Sequence, residues 1–326
     1  MSFTGYLSGA AAALLAAVFT TGAAAAAPDW PNAPIRIVVP YSAGGSTDNV
    51  SRKLAQELAE RLKTTVFVEN KIGAMGMIGS GEVARAKADG YTLLANDVGL
   101  IMLPHVRRSV PYDAHKDLKP IGAFVFSPFL VAVNADSPYR TLQDLVAKAK
   151  SKPDAVTYGS GGVGTSPHLV TELFANKIDA QLYHIPYKGA GEAVLALMSG
   201  TIDMQMGTTA SLMSQLKSGK LRGLAISGEH RQESLPDVPT FAEAGMKDFG
   251  VFHWIGLWAP AQTPPEAIQR LQAALEDAMK DPDMQAFSRG IAAEPKLVVG
   301  AELQELIAKE DRTWEDTVAR IGLEKQ

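Results

Sequence analysis

The chain has 326 residues, 20% charged, 46% hydrophobic and 7% aromatic, with Lys+Arg 31 against Asp+Glu 35 and a formal net charge of −4. This composition excludes collagen-like, disordered and disulfide-scaffold chains, and the length suits one or two domains with cores of their own. The absence of cysteine removes thiolate catalysis, Cys-based zinc sites and iron–sulfur clusters together, and the lack of a polybasic run leaves neither nucleic acid nor an anionic membrane surface as an evident partner.

Residues 1–28 carry no charged side chain, and an apolar run from Ala10 to Phe19 leads into five alanines ending at Ala27. An apolar stretch of about ten residues followed by small ones is the pattern of a secretory signal peptide. The run is Ala-dominated and short of the ~20 residues a membrane span needs. The expectation is a signal peptide over 1–27, cut between Ala25 and Pro28, and a mature chain in the periplasm. The missing Lys or Arg ahead of the apolar run is atypical.

After Trp30, short apolar runs alternate with amphipathic stretches. Ile35 to Val39 reads as a strand, and Val50, Leu54, Leu58 and Leu62 recur at i, i+4 on a helix from about Asp48 to Leu62. Strand Val66 to Glu69, helix Gly79 to Ala88 and strand Tyr91 to Ala95 complete a βαβαβ unit of the kind that makes a parallel sheet. The longest strand-like run spans Phe124 to Val133, and Thr141 with Asp144 forms a capping box for a helix to about Lys150. A second set follows: strands 156–158, 182–185, 203–206 and 221–226, separated by helices 167–177, 191–199 and 212–218. Beyond Pro264 only two amphipathic helices are predicted, 265–280 and 301–320. The pattern predicts two α/β lobes joined by two crossovers, near Phe126–Val133 and Ala225–Gly228, with domain 1 built from 28–125 and 228–326 and domain 2 from 126–227. A cleft between two such lobes suits a small molecule.

Two segments could carry the chemistry. Pro40 to Asp48 lies between the first strand and the first helix; its glycines allow close backbone approach, and the helix N-terminus offers free N–H groups to an anion. Ser46 and Thr47 add hydroxyls, while Asp48 fits a cap, since a carboxylate would repel the anion. A plain βα turn with Ser46 or Asp48 as N-cap explains the same residues. Tyr158 to His168 repeats the pattern in the second lobe and matches G-x-G-x-x-G at Gly159, Gly161 and Gly164. A dinucleotide site is disfavoured because Asp179 precedes the next strand, whereas the ribose-binding acid belongs at that strand's far end. No nucleophile elbow, H-E-x-x-H pair or P-loop occurs. His168 reads as a first-turn helix residue near the second loop, His105, His115 and His230 as surface, His184 as packed beside its strand, and His253 as a loop residue. Trp258 and Phe252 read as core, with Trp254 a candidate for the cleft border. An exported two-lobe chain without a catalytic set reads as a binding protein, with no metal and no cofactor.

These segments resemble the Bug/TctC family, the periplasmic solute receptors of tripartite tricarboxylate transporters, across essentially the whole mature chain. The resemblance rests on Trp30-Pro31, Pro34 to Pro40, Gly44 to Asp48, Val68 to Lys71, Asp89 to Leu94, Pro111 to Asp113, Lys116 to Leu118, Thr141 to Leu145, Gly159 to Thr165, Tyr187 to Gly189, Gly219 to Arg222, Leu235 to Thr240, Pro260 and Thr263-Pro264. It implies a type II periplasmic-binding-protein fold that closes on a small carboxylate without catalysis and docks as a monomer on membrane permease subunits. The implied ligand-binding residues are Tyr41, Ala43, Gly44, Gly45, Ser46 and Thr47 in the first loop and Ser160, Gly161, Gly164, Thr165 and Ser166 in the second, beside His168, Thr208 and Trp254. Two stretches depart from the family pattern. Ala95 to Met102 stands where Thr/Ser-rich sequence with His and Asn is usual, and Met206 to Thr209 where Asp or Asn is common. The expected cleft wall is thus more apolar, favouring an aromatic or longer aliphatic carboxylate or a dicarboxylate. A ligand sensor for a membrane signalling protein shares every binding feature, and an exported hydrolase is the remaining alternative.

Overall fold

Ile35, Ile37, Val38 and Val39 are fully buried, and the strand they form, β1 (Ile35–Val39), is the centre of a parallel trio with β2 (Val66–Asn70) and β3 (Thr92–Asp97). The computed structural model describes residues 30–325 apart from Asp248, so the predicted signal peptide lies outside the described residues. From Pro31 onward the chain is one compact unit. Helix α1 (Ser46–Leu62) buries the stripe Val50, Leu54, Leu58 and Leu62, as its spacing predicts, and ends at left-handed Lys63. A short 3₁₀ turn (Ala74–Gly76) leads into α2 (Met77–Ala84), and α3 (Gly99–Val106) follows β3. Apolar on all sides and buried, α3 shows no amphipathic period, so no helix is predicted there from sequence.

After α4 (Ala114–Asp117) comes β4 (Leu118–Asn134), which belongs to two sheet regions. Its first part lies between β10 (Glu294–Val298) and β9 (Phe252–Pro260), giving the order β10-β4-β9-β3-β1-β2. Its last part pairs instead with β7 (Gln205–Thr208) and β8 (Leu221–Ile226). The handover falls at Pro128, paired with Phe252 of β9, and Phe129, paired with Thr208 of β7. Beside β7, a parallel bridge from Met204 to Tyr158 leads to the pair β5 (Thr157–Ser160) and β6 (Tyr183–Pro186). Around these strands pack α5 (Leu142–Ser151), α6 (Ser166–Lys177), α7 (Ala190–Met198) and α8 (Thr209–Lys217). The capping box predicted at Thr141 and Asp144 is formed.

The C-terminal part corrects the sequence reading. Besides α9 (Pro265–Lys280) and α11 (Gly300–Ile321), it holds α10 (Pro282–Gly290) and the edge strand β10. β10 is only five residues and carries Pro295, a composition that fits an edge and gives little strand signal. The sheet is also mixed, because β9 enters antiparallel between β3 and β4.

Candidate functional site

The carboxyl ends of β1 and β3 in one sheet region, and of β5 and β7 in the other, open into the loops singled out from sequence; such ends are where open α/β sheets hold ligands. In the first loop Gly44 takes φ +80°, and the backbone N–H of Gly44 donates to Asp48 Oδ2 at 2.9 Å. Asp48 also accepts from Asn70 Nδ2 at 2.8 Å and from Arg52 Nε at 3.0 Å. Burial alone would raise its pKa, but Arg52, Gly44 and Asn70 together hold it below the usual carboxylate range. Asp48 therefore organises the turn from inside, as the sequence reading has it.

With Gly44 N–H spent on Asp48 and Gly45 N–H on Ser42 O, the N–H groups of Ala43, Ser46 and Thr47 have no protein acceptor among the described residues. The Ser46 hydroxyl is buried and without a partner. Tyr41 Oη donates toward Asn96 Oδ1 at 2.8 Å and lies 3.0 Å from Asp97 Oδ1. Thr47 Oγ1 donates to Asp97 Oδ2, which also lies 3.1 Å from His253 Nε2. Tyr41 and Thr47 thus anchor the loop and are not free donors.

The second loop is held by uncharged groups. Ser160 Oγ lies 2.7 Å from His184 Nε2 and accepts from Gly162 N at 3.1 Å, while Gly164 N donates to His168 Nδ1 at 3.1 Å. His168 and His184 stack with ring centroids 4.3 Å apart, and His184 stacks in turn on Tyr158 at 4.7 Å. Burial lowers the pKa of His168 to about 3, with His184 adding to the effect, and lowers that of His184 to about 4. Both rings are neutral at pH 7, so Nδ1 of His168 can accept. Tyr158 Oη donates to Glu172, whose pKa burial raises. Thr165 Oγ1 donates to Gly162 O at 2.8 Å and its N–H is used by the same carbonyl. The N–H groups of Gly161, Val163 and Ser166 remain without a protein acceptor among the described residues.

The two loops come together. A Cβ built on Gly189, just before α7, would lie 3.8 Å from Ser42 Oγ, and one on Gly161 only 3.0 Å from Ala190 N. Met75 reaches the second loop from the other side: a Cβ on Gly164 would meet its Cε at 2.5 Å and Val106 Cγ2 at 3.0 Å. Met75 sits in a run of positive φ through Gly73, Ala74, Met75 and Gly76; such backbone costs a non-glycine residue about 1–2 kcal/mol.

Several sequence-predicted residues have other roles. Trp254 is 1% exposed and packs at a tilt against Trp258 in the core with Glu310 near its ring, because alternation along β9 sets it on the face opposite His253. Thr208 is the N-cap of α8, accepting from Ser211 N. His168 and Gly164 bond to each other. His105 is no free surface residue, since its ring lies 2.8 Å from Asp311. Sequence reasoning missed Asp97, His184 and His253 as parts of the site; His253 belongs to β9, not to a loop.

Comparison with known proteins agrees with this fold. The family profile described as "Tripartite tricarboxylate transporter family receptor" matches residues 50–323. BugT of Bordetella pertussis is 33% identical over 313 residues, covering 94% of this chain and 95% of its own. Among solved structures, the periplasmic binding protein BugD superposes with a TM-score of 0.84 at 33% identity, covering 91% of this chain and all of its own (100%). An adipate-bound protein of Rhodopseudomonas palustris gives 0.87 at 28% identity, over 91% of this chain and 100% of its own, and MatC of the same organism, with bound malate, gives 0.82 at 28%, over 89% and 100%.

Proposed function

The chain belongs to the tripartite tricarboxylate transporter receptor family, whose members are solute receptors and not enzymes, and from that premise we propose that it captures a small carboxylate in the periplasm and delivers it to membrane permease subunits. The observation that carries this reading is the pair of loops with unclaimed backbone N–H groups at the N-termini of α1 and α6, which meet around Ser42, Gly189 and Gly161. Several N–H groups and the Ser46 hydroxyl can satisfy one carboxylate without an Arg or Lys clamp, because charge-assisted bonds and two helix dipoles act on the same oxygens. Ala43, Ser46, Gly161 and Ser166 are assigned to direct contact; Tyr41, Gly44, Gly45, Thr47, Ser160, Gly164, Thr165 and His168 hold the loops in shape.

The lobes of this receptor are 28–125 with 228–326, and 126–227, and it acts as a monomer after loss of residues 1–27. No described helix is long and apolar enough to cross a membrane. Malate and adipate in the neighbours support a carboxylated metabolite, and the apolar stretch Val98 to Met102 favours a ligand with an apolar or aromatic body. Thermal-shift titration with citrate, adipate, benzoate and terephthalate tests this. Stabilisation by adipate or an aromatic carboxylate, abolished in Gly161→Trp, is the expected result; tight citrate binding with no response to the others would overturn the choice of ligand class.

A further inference from the structure

The turn between β2 and α2 holds four successive residues at positive φ: Gly73 at +139°, Ala74 at +47°, Met75 at +58° and Gly76 at +87°. Two of the four carry a Cβ, and Ala74 is exposed, so its methyl group gains no packing in return. Strain of this kind persists only where the surroundings over-determine it. On one side those surroundings are the first loop. A Cβ built on Gly76 would lie 3.4 Å from Pro40 Cβ and 3.6 Å from Tyr41 Cε1, and one on Gly79 would lie 3.0 Å from Pro40 Cβ. Lys71 N, entering the turn, donates to Val39 O at 2.9 Å.

On the other side lies the second loop. Gly164 stands at φ +82°, and the space over its α-carbon is taken by Met75 Cε, 2.5 Å from a built Cβ, and by Val106 Cγ2, 3.0 Å from it. Both groups come from outside the second loop's own strand pair: β5, which leads into that loop, pairs with β6, whereas Met75 follows β2 and Val106 ends α3. Met75 is partly buried and packs against the core cluster that holds Val106 and Tyr158. The covered glycine sits among the bonds that shape the loop. Gly162 N donates to Ser160 Oγ at 3.1 Å, Gly164 N to His168 Nδ1 at 3.1 Å and Thr165 N to Gly162 O at 3.3 Å. The N–H groups left without a protein acceptor among the described residues, those of Gly161, Val163 and Ser166, are interleaved with these.

We propose that Met75 is a positioning residue of the ligand site: from a turn seated on the first loop it clamps the second loop at Gly164, so that the free N–H groups of both loops stand in one fixed arrangement before a ligand arrives. The inference rests on the carboxylate reading above for what those N–H groups bind, and adds the residue that presets them. A loop ordered beforehand does not have to be ordered during binding, and the affinity is higher by that amount. Cutting Met75 back to alanine removes the nearest group over Gly164 and with it the link between the turn and the second loop.

The first measurement needs no ligand: amide hydrogen exchange in the wild-type chain, Met75→Ala, Met75→Leu and a control, Ile72→Ala, which removes an exposed apolar side chain just before the same turn. In Met75→Ala the amides of Gly162, Gly164 and Thr165 should exchange at least about fivefold faster while those of α9 keep their protection. Met75→Leu, which retains an apolar side chain of similar volume, should stay nearer to wild type, and Ile72→Ala should match wild type. A role confined to the turn would not move amides in a loop so distant along the chain. Calorimetric titration with citrate, adipate, benzoate and terephthalate then reads the affinity. Whichever of them binds the wild-type chain should bind Met75→Ala about tenfold more weakly, with a smaller loss in Met75→Leu and none in Ile72→Ala. Unchanged exchange or unchanged affinity in Met75→Ala, or equal losses in Ile72→Ala, would overturn the role of Met75 and leave the carboxylate reading standing. Failure of all four acids to bind the wild-type chain would overturn the carboxylate reading, and the exchange rates would still decide whether Met75 holds the loop.

Discussion

The two loops reach the same end by different electrostatics. Around α1, two ionised carboxylates do the holding: Asp48 gathers Gly44, Asn70 and Arg52, and Asp97 gathers Tyr41, Thr47, Gly99 and His253. Around α6 the work falls to uncharged rings and hydroxyls, with His168 and His184 stacked behind Gly164 and Ser160. Carboxylates behind the first loop repel an anion unless their charge is taken up inside the protein, which Arg52 does for Asp48 and a ring of hydrogen-bond donors does for Asp97; neutral imidazoles behind the second need no such compensation. For the proposed carboxylate site the difference teaches that negative charge can buttress such a loop, provided the charge is consumed inside the protein and only N–H groups are turned outward.

The comparison can be broken from either side. The largest effect should come from Asp97→Ala, which leaves the buried His253 ring, Gly99 N–H and the Thr47 hydroxyl without their acceptor; at about 1–3 kcal/mol for each unsatisfied buried group it should remove about 3–5 kcal/mol, read as a shift in the denaturation midpoint. An unchanged midpoint would mean the first loop does not depend on this carboxylate. Next is Gly164→Val in the second loop. The backbone there is at φ +82° and the new side chain would run into Met75, so left-handed strain and overpacking together should cost about 2–4 kcal/mol. Chemical denaturation measures this too, and the joint replacement Gly164→Val with Met75→Ala should recover part of the loss.

Acid separates the loops by the pH at which each yields. Unfolded histidines take up protons near pH 6.5, whereas His168 and His184 resist until about 3 and about 4. The unfolded chain thus binds more protons below pH 6.5, and the stability these rings contribute is present above that value and lost progressively as pH falls toward 4. Asp48 and Asp97, with lowered pKa values, give up theirs only below the ordinary carboxylate range. Melting temperature should therefore fall between pH 6.5 and 4, less steeply in His168→Gln, and a curve flat over that interval would contradict the assignment. The smallest effect belongs to Thr165→Ala, which deletes one hydroxyl bond to Gly162 O and should cost about 1 kcal/mol, detectable as a small drop in melting temperature.

What could be read from sequence was local. Glycines and hydroxyls between a strand and a helix mark Tyr41 to Asp48 and Tyr158 to His168 without any tertiary knowledge, and the i, i+4 stripe of α1 gives its limits to within two residues at the start. What could not be read was set by distance along the chain. Asp97 and His253 are separated by 156 positions, and nothing local in either segment announces the other. The Ser160–His184 bond spans a shorter gap of 24 residues, but the backing of a loop by a histidine two elements later has no sequence mark. Trp254 was misplaced for a simpler reason: once Phe252 to Pro260 is seen as a strand, alternation puts His253 and Trp254 on opposite faces, and it is the histidine that reaches Asp97.

Strand β4 runs without interruption from one sheet region into the other, exchanging β9 for β7 and β8 at Pro128 and Phe129. Proline has no N–H, so at the point of exchange Pro128 donates no hydrogen bond to the ladder. Any rotation of one half of the molecule against the other has to flex this rod as a leaf spring flexes, because a continuous paired strand offers no swivel. Any opening of that kind would be opposed by the bending of the strand itself.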